Sequence, residues 1–173
     1  MLFPVIKGSY ERGGEVHSVL PEKSVFYKNH VINWAQDVSR SLDYLETRND
    51  IAQEKIGFFS FSWGSSIAPV ICALEKRIRA AVLHASGFVM QKPLPEVDPL
   101  NFLPRVHIPV LTLNGKNDTA YPLETTQKPM FKLLGTVEKD KKMKIYEGGH
   151  LVPRSELMKE SLAWFDKYLG AVK

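Results

Sequence analysis

The sequence has a single cysteine, Cys72, so no disulfide can form within the chain. That excludes a disulfide-stapled secreted miniprotein and fits a reducing, cytoplasmic setting. No apolar run approaches the roughly 18 residues needed to cross a bilayer, which argues against a membrane partner. A secretory leader is not expected either: Pro4, Lys7 and Gly8 interrupt the apolar start, and no basic segment precedes it. No cluster of Cys, His and carboxylates has metal-ligand spacing, and no Gly-rich phosphate loop follows a strand. Neither a metal nor another cofactor is therefore expected. Charge of one sign is also scarce. Against 19 acidic residues stand 23 basic ones, a net charge of +4, and only Lys139–Lys144 is densely basic. With no aromatic residues interleaved for base stacking, that cluster reads as a solvated loop before a strand, and no nucleic-acid partner is expected.

What is present is the composition of a folded domain. Hydrophobic residues make up 44% of the 173, enough for a real core and, at roughly 150 residues per domain, for a single domain over 1–173. Apolar, β-rich runs predict strands at Met1–Ile6, Ile56–Ser60, Ala80–His84 and Val110–Asn114, with a weaker one at Lys142–Tyr146. They are continuous rather than alternating, as parallel strands covered on both faces require. Val31, Trp34, Ala35, Val38, Leu42 and Leu45 form one helical stripe, and Ile67, Val70, Ile71 and Leu74 a shorter one. Met158, Leu162, Phe165 and Leu169 define a last helix, with Ser155 as the expected N-cap and Gly170 as the stop. Strands alternating with helices predict an α/β fold, a three-layer sandwich around a mostly parallel sheet. Two stretches break the rhythm. Lys7–Phe26 reads as a long loop, and four prolines in Ser86–His107 exclude a long helix there. Loops of that length are often binding loops.

The second strand runs into Ser60-Phe-Ser62-Trp-Gly64 and then into a helix. This is the strand–turn–helix setting of a nucleophile elbow, whose pattern is G-x-S-x-G, with Ser60 in place of the first glycine. A serine hydroxyl needs a base, and the base needs an orienting carboxylate. Asp118 follows the fourth strand and His150 the fifth, so both fall beyond the carboxyl edge of the sheet, where ligand sites of open α/β sheets lie. Gly148 and Gly149 give the His150 loop freedom to reach over the sheet. His17, His30, His84 and His107 are expected in core or surface roles.

Ser60–Gly64, Pro109–Asp118 and Gly148–His150 together resemble the α/β-hydrolase superfamily, in the branch of dienelactone hydrolases, acetyl xylan esterases and prolyl-oligopeptidase-like domains. The resemblance implies a serine hydrolase, and the short Ser86–His107 stretch, read as an open site, makes the expected activity that of a carboxylesterase cleaving short-chain acyl esters through an acyl-enzyme. Ser62 would be the nucleophile, His150 the base, Asp118 its orienting acid, and the Trp63 backbone N–H an oxyanion donor. The other readings are a prolyl-oligopeptidase-like peptidase and a non-catalytic hydrolase-like interaction module. Against the family pattern the chain reads as N-terminally truncated: the first three strands and the loop carrying the second oxyanion donor would precede Met1. A sheet short of strands exposes an edge. The expected partners are thus a small ester substrate and a second copy of the chain, a dimer joined through the N-terminal strand or the exposed sheet edge. Phe88, Met90, Leu100, Phe102 and Leu103 are expected to wall an acyl pocket.

Overall fold

The computed structural model describes residues 1–13 and 20–171. Helix α1 (Val25–Glu46) precedes β1 (Ile56–Phe61), α2 (Trp63–Leu74) and β2 (Ile78–His84). A four-residue α3 (Pro99–Phe102) then leads to β3 (Val110–Gly115), α4 (Lys128–Leu133), β4 (Lys141–Tyr146) and α5 (Arg154–Leu169). All four strands are parallel, in the order β1-β2-β3-β4. Alternation along each strand splits the core. Ile78, Ala81, Leu83 and Val110 face α1, α2 and α4, whereas Ala80, Val82, Leu111 and Leu113 face α5 through Trp164. Both faces are covered, which is why these strands read as unbroken apolar runs. The result is the expected three-layer α/β sandwich.

Local chemistry explains the helix limits. Ser24 caps α1 by accepting the Tyr27 N–H at 3.0 Å. Gly170 ends α5 at φ 81°, a conformation that costs a residue with a Cβ. Ser155 is not the cap of that helix: α5 starts one residue earlier, with Pro153 in the cap position. Between residues 86 and 107 the prolines permit only α3 and single 3₁₀ turns.

The first predicted strand does not form. Residues 1–6 adopt no regular structure and are held with their neighbours against α1. Lys7 donates its N–H to Asp37 at 2.8 Å, its carbonyl accepts the Trp34 Nε1–H at 2.7 Å, and Arg12 pairs with Asp37 at 2.8 Å. Pro4 withholds one ladder donor, and these contacts dock the segment on a helix rather than a strand. Within the expected loop 7–26, Tyr10–Arg12 forms a 3₁₀ turn. The rest of the reading on that loop falls partly, and His17 wholly, outside the described residues.

The two edges of the sheet differ. β4 carries Lys141, Lys142 and Lys144, with Lys141 paired to Glu138 and Lys144 to Glu160. β1 carries no charge, and Phe59 and Phe61 are 47% and 43% exposed. Among the described residues, β1 has a strand neighbour only on its β2 side.

Candidate active site

Parallel strands place all their carboxyl ends on one rim, and the three predicted side chains meet there. Ser62 sits between β1 and α2 at φ 53°, ψ −117°, a strained conformation for a residue with a Cβ. The turn is held from both sides. The Ser62 N–H donates to the His84 carbonyl at 2.9 Å, while the Ser62 carbonyl accepts the N–H groups of Ser65 and Ser66. Ser60, in the position usually taken by glycine, is buried, and its hydroxyl lies 3.0 Å from the Ser65 hydroxyl. Serine is tolerated there because its one polar atom finds a partner.

His150 Nε2 lies 2.7 Å from Ser62 Oγ, and its Nδ1 lies 2.8 Å from Asp118 Oδ2. The Asp118 side chain is 0% exposed, and its other oxygen accepts the N–H groups of Ala120 at 2.9 Å and Tyr121 at 3.1 Å. Both oxygens of that carboxylate are therefore engaged. The acid and histidine loops are joined by the Asn117 N–H donating to the Gly148 carbonyl at 2.8 Å. A Cβ on Gly115 would lie 1.7 Å from the Gly149 carbonyl oxygen, so only glycine permits this approach. Trp63 is the first residue of α2, and the helix supplies no internal acceptor for its N–H, which leaves that group free for an anion at the helix N-terminus. The Trp63 indole packs edge-on against Trp34, at 4.4 Å between centroids.

Three further side chains surround the imidazole. Tyr121 stacks on His150 at 5.8 Å, Phe61 lies at 5.4 Å, and Phe61 in turn contacts His84 at 4.8 Å. Burial raises the Tyr121 phenol above its usual value, opposed by hydrogen bonding to Ser66 and Ser62. Only the location of Phe61, His84 and Tyr121 near strand ends marked them in the sequence. His30 and His107 are elsewhere, bonded to the carbonyls of Phe26 and Gly135. Phe102 and Leu103 do not wall a pocket: both are buried in the core beneath α2, because the prolines around them turn the segment inward. Met90, by contrast, is exposed. Among the described residues no group of three His, Cys, Asp or Glu side chains is placed to hold a metal ion.

Residues 11–162 match the sequence profile of a family described as Serine hydrolase (FSH1). The chain belongs to the FSH1 serine hydrolase family. No match was found among curated proteins. Among solved structures, the chain is similar to a cold-adapted esterase from an Arctic intertidal metagenomic library. Identity is 26% and the TM-score 0.66, over 82% of this chain and 56% of that one. It is also similar to a protein assigned as a dienelactone hydrolase from Klebsiella pneumoniae, at 21% identity and TM-score 0.68, over 80% and 62% of the two chains. Acetyl xylan esterase 1 from Thermoanaerobacterium aligns at 15% identity and TM-score 0.67, over 94% and 60%. These likenesses place the fold among the α/β hydrolases, as the motif-based resemblance implied. The chain spans less than two thirds of the length of each of these relatives.

The burial of His84 has a consequence for acid stability in this family member. Burial, with the neighbouring His150 adding to it, lowers its imidazole from the ordinary 6.5 to about 4. Below about 6.5 the unfolded chain takes up a proton that the folded chain refuses. The stability tied to His84 is therefore fully present above that value and is lost as pH falls towards about 4. The drop in Tm between pH 7 and pH 5 is expected to shrink in His84→Gln. An unchanged drop in thermal melts would contradict this.

Proposed function

We propose that this chain is a serine esterase that cleaves short-chain acyl esters. The observation that carries the reading is the unbroken line from Ser62 Oγ through both nitrogens of His150 to buried Asp118, at 2.7 and 2.8 Å. In the first half-reaction Ser62 Oγ attacks the ester carbonyl, and its proton passes to His150 Nε2. The tetrahedral oxyanion forms at the N-terminus of α2, where the Trp63 N–H donates to it. Collapse breaks the bond to the alcohol, which leaves with the proton from His150, and the acyl group stays on Ser62. Water then attacks the acyl-enzyme, gives its proton to His150, and the acid departs as Ser62 Oγ recovers that proton. The Asp118 carboxylate orients the ring and stabilises the imidazolium formed in each half. The His150 side chain is 31% exposed, which supports small acyl groups approaching an open rim. The unpaired, buried Cys72 supports a cytoplasmic setting.

The test is covalent. A fluorophosphonate probe is expected to label Ser62, located by peptide mass spectrometry, and p-nitrophenyl acetate and butyrate are expected to slow the labelling. Labelling no faster than in heat-denatured protein would refute the esterase and leave the non-catalytic module.

A second copy of the chain is the proposed partner, paired along β1. The support is the contrast between edges: β4 carries three lysines, whereas β1, which among the described residues has a strand neighbour only on its β2 side, exposes Phe59 and Phe61. Light scattering at micromolar concentration is expected to give the mass of two chains, and Phe59→Lys is expected to give that of one. A monomeric wild type would sink the proposal.

A further inference from the structure

We propose that His84 is a positioning residue that ties the His150 loop to the nucleophile turn by accepting a hydrogen bond from the Val152 N–H. The inference rests on the Ser62–His150–Asp118 reading above. His84 is the last residue of β2 and is 4% exposed. Its backbone and side chain serve different partners. The carbonyl accepts the Ser62 N–H at 2.9 Å and the Ser65 hydroxyl at 2.9 Å, fixing the elbow from below. The ring accepts the Val152 N–H at Nε2, at 3.2 Å, only two residues past His150. One residue thus holds both the turn that carries the nucleophile and the loop that carries its base.

The bond also satisfies a donor that has nowhere else to go. The Val152 side chain is buried in the core beside α5, so its N–H is drawn inside with it. A buried donor left unpaired costs about 1–3 kcal/mol. Without an acceptor at His84, the loop would have to move outward to hydrate that group, and His150 would move with it. Burial keeps the imidazole neutral at ordinary pH, so Nε2 stays an acceptor and the ring proton resides on Nδ1. Phe61 lies between the two rings, 4.8 Å from His84 and 5.4 Å from His150, and fills the space that holds them apart. The His84 ring bonds the Val152 N–H rather than a reacting atom, so the effect of the side chain passes through the His150 loop.

Two variants separate an acceptor from a space-filler. His84→Leu keeps bulk and removes the acceptor, whereas His84→Gln offers an amide oxygen near the position of Nε2. With p-nitrophenyl acetate at pH 7, His84→Leu is expected to lose about 10–100-fold in kcat with KM little changed, the scale of a small misplacement of a reacting group. His84→Gln is expected to recover most of it. Equal kcat for the Leu and Gln variants would overturn the proposal. Hydrogen exchange gives a second readout that needs neither activity nor a folded Leu variant. The Val152 amide is expected to be protected in the wild type and in His84→Gln. Free exchange of that amide in the wild type would overturn the proposal even in an active enzyme. Protection in a chain that never labels at Ser62 would support the tie while refuting the esterase, so the two failures are distinguishable.

Discussion

Ser62→Ala is expected to lower kcat for p-nitrophenyl acetate by on the order of 10⁶, to the level of adventitious hydrolysis. The size of the effect follows from the geometry. In the proposed mechanism Ser62 Oγ is the atom that would bond to the acyl group, and His150 Nε2, its proposed base, lies 2.7 Å away. Removing Oγ leaves His150 and Asp118 in position but without a nucleophile. Only the oxyanion site and substrate binding then contribute to the rate. The fold should not suffer. Alanine keeps the Cβ that the elbow already accommodates at φ 53°, and the N–H bond to His84 is a backbone contact. Steady-state rates alongside thermal melts check both points. Equal activity in the two proteins, with equal Tm, would assign any observed hydrolysis to some other group.

Asp118→Asn is expected to cost about 10⁴ in kcat at neutral pH with the fold intact. The argument is one of proton placement. Oδ1 accepts two N–H groups, from Ala120 and Tyr121, so the amide oxygen of asparagine must take that place. Its NH₂ then faces His150 Nδ1, where the carboxylate oxygen stood at 2.8 Å. An amide NH₂ donates. Nδ1 must therefore accept, and the ring proton moves to Nε2, which points at Ser62 Oγ. In that tautomer Nε2 donates to the serine and cannot take its proton. The variant should bind ester with nearly unchanged KM and react slowly with a fluorophosphonate. Wild-type labelling rates in Asp118→Asn would show that the carboxylate has no part in orienting the imidazole.

The residues themselves disclosed much of this. Continuous apolar runs at 80–84 and 110–114 announced parallel strands covered on both faces, whereas the run at 56–60 forms a parallel strand that leaves Phe59 exposed. Ser60–Gly64 between a strand and a helix marked a sharp turn, because small residues are what such a turn tolerates. Asp118 and His150 could be read from the ends of the next strands, because a parallel sheet sends all carboxyl ends to one side. Other features depended on contacts distant in the chain. Ser155 had the right chemistry for a cap, yet α5 begins at Arg154 behind Pro153. Phe102 and Leu103 had the right character for a pocket wall, yet the turns around them direct both into the core.

What the sequence by itself determined is the class of fold, the membership of Ser62, Asp118 and His150 in one constellation, and their order. These follow from local periodicity and local turn chemistry. The tertiary structure alone decided where residues 1–6 rest, which strands border the described sheet, and that His84 spans the elbow and the histidine loop. A short apolar segment with a proline can join a strand or lie on a helix. The choice here rests on Trp34 and Asp37, 27 and 30 residues away from Lys7. His84 and Val152 are 68 residues apart, and no pattern within either strand or loop encodes their meeting. Pairings across such distances are set when the layers pack, because only then does a buried N–H at one end of the chain need an acceptor from the other.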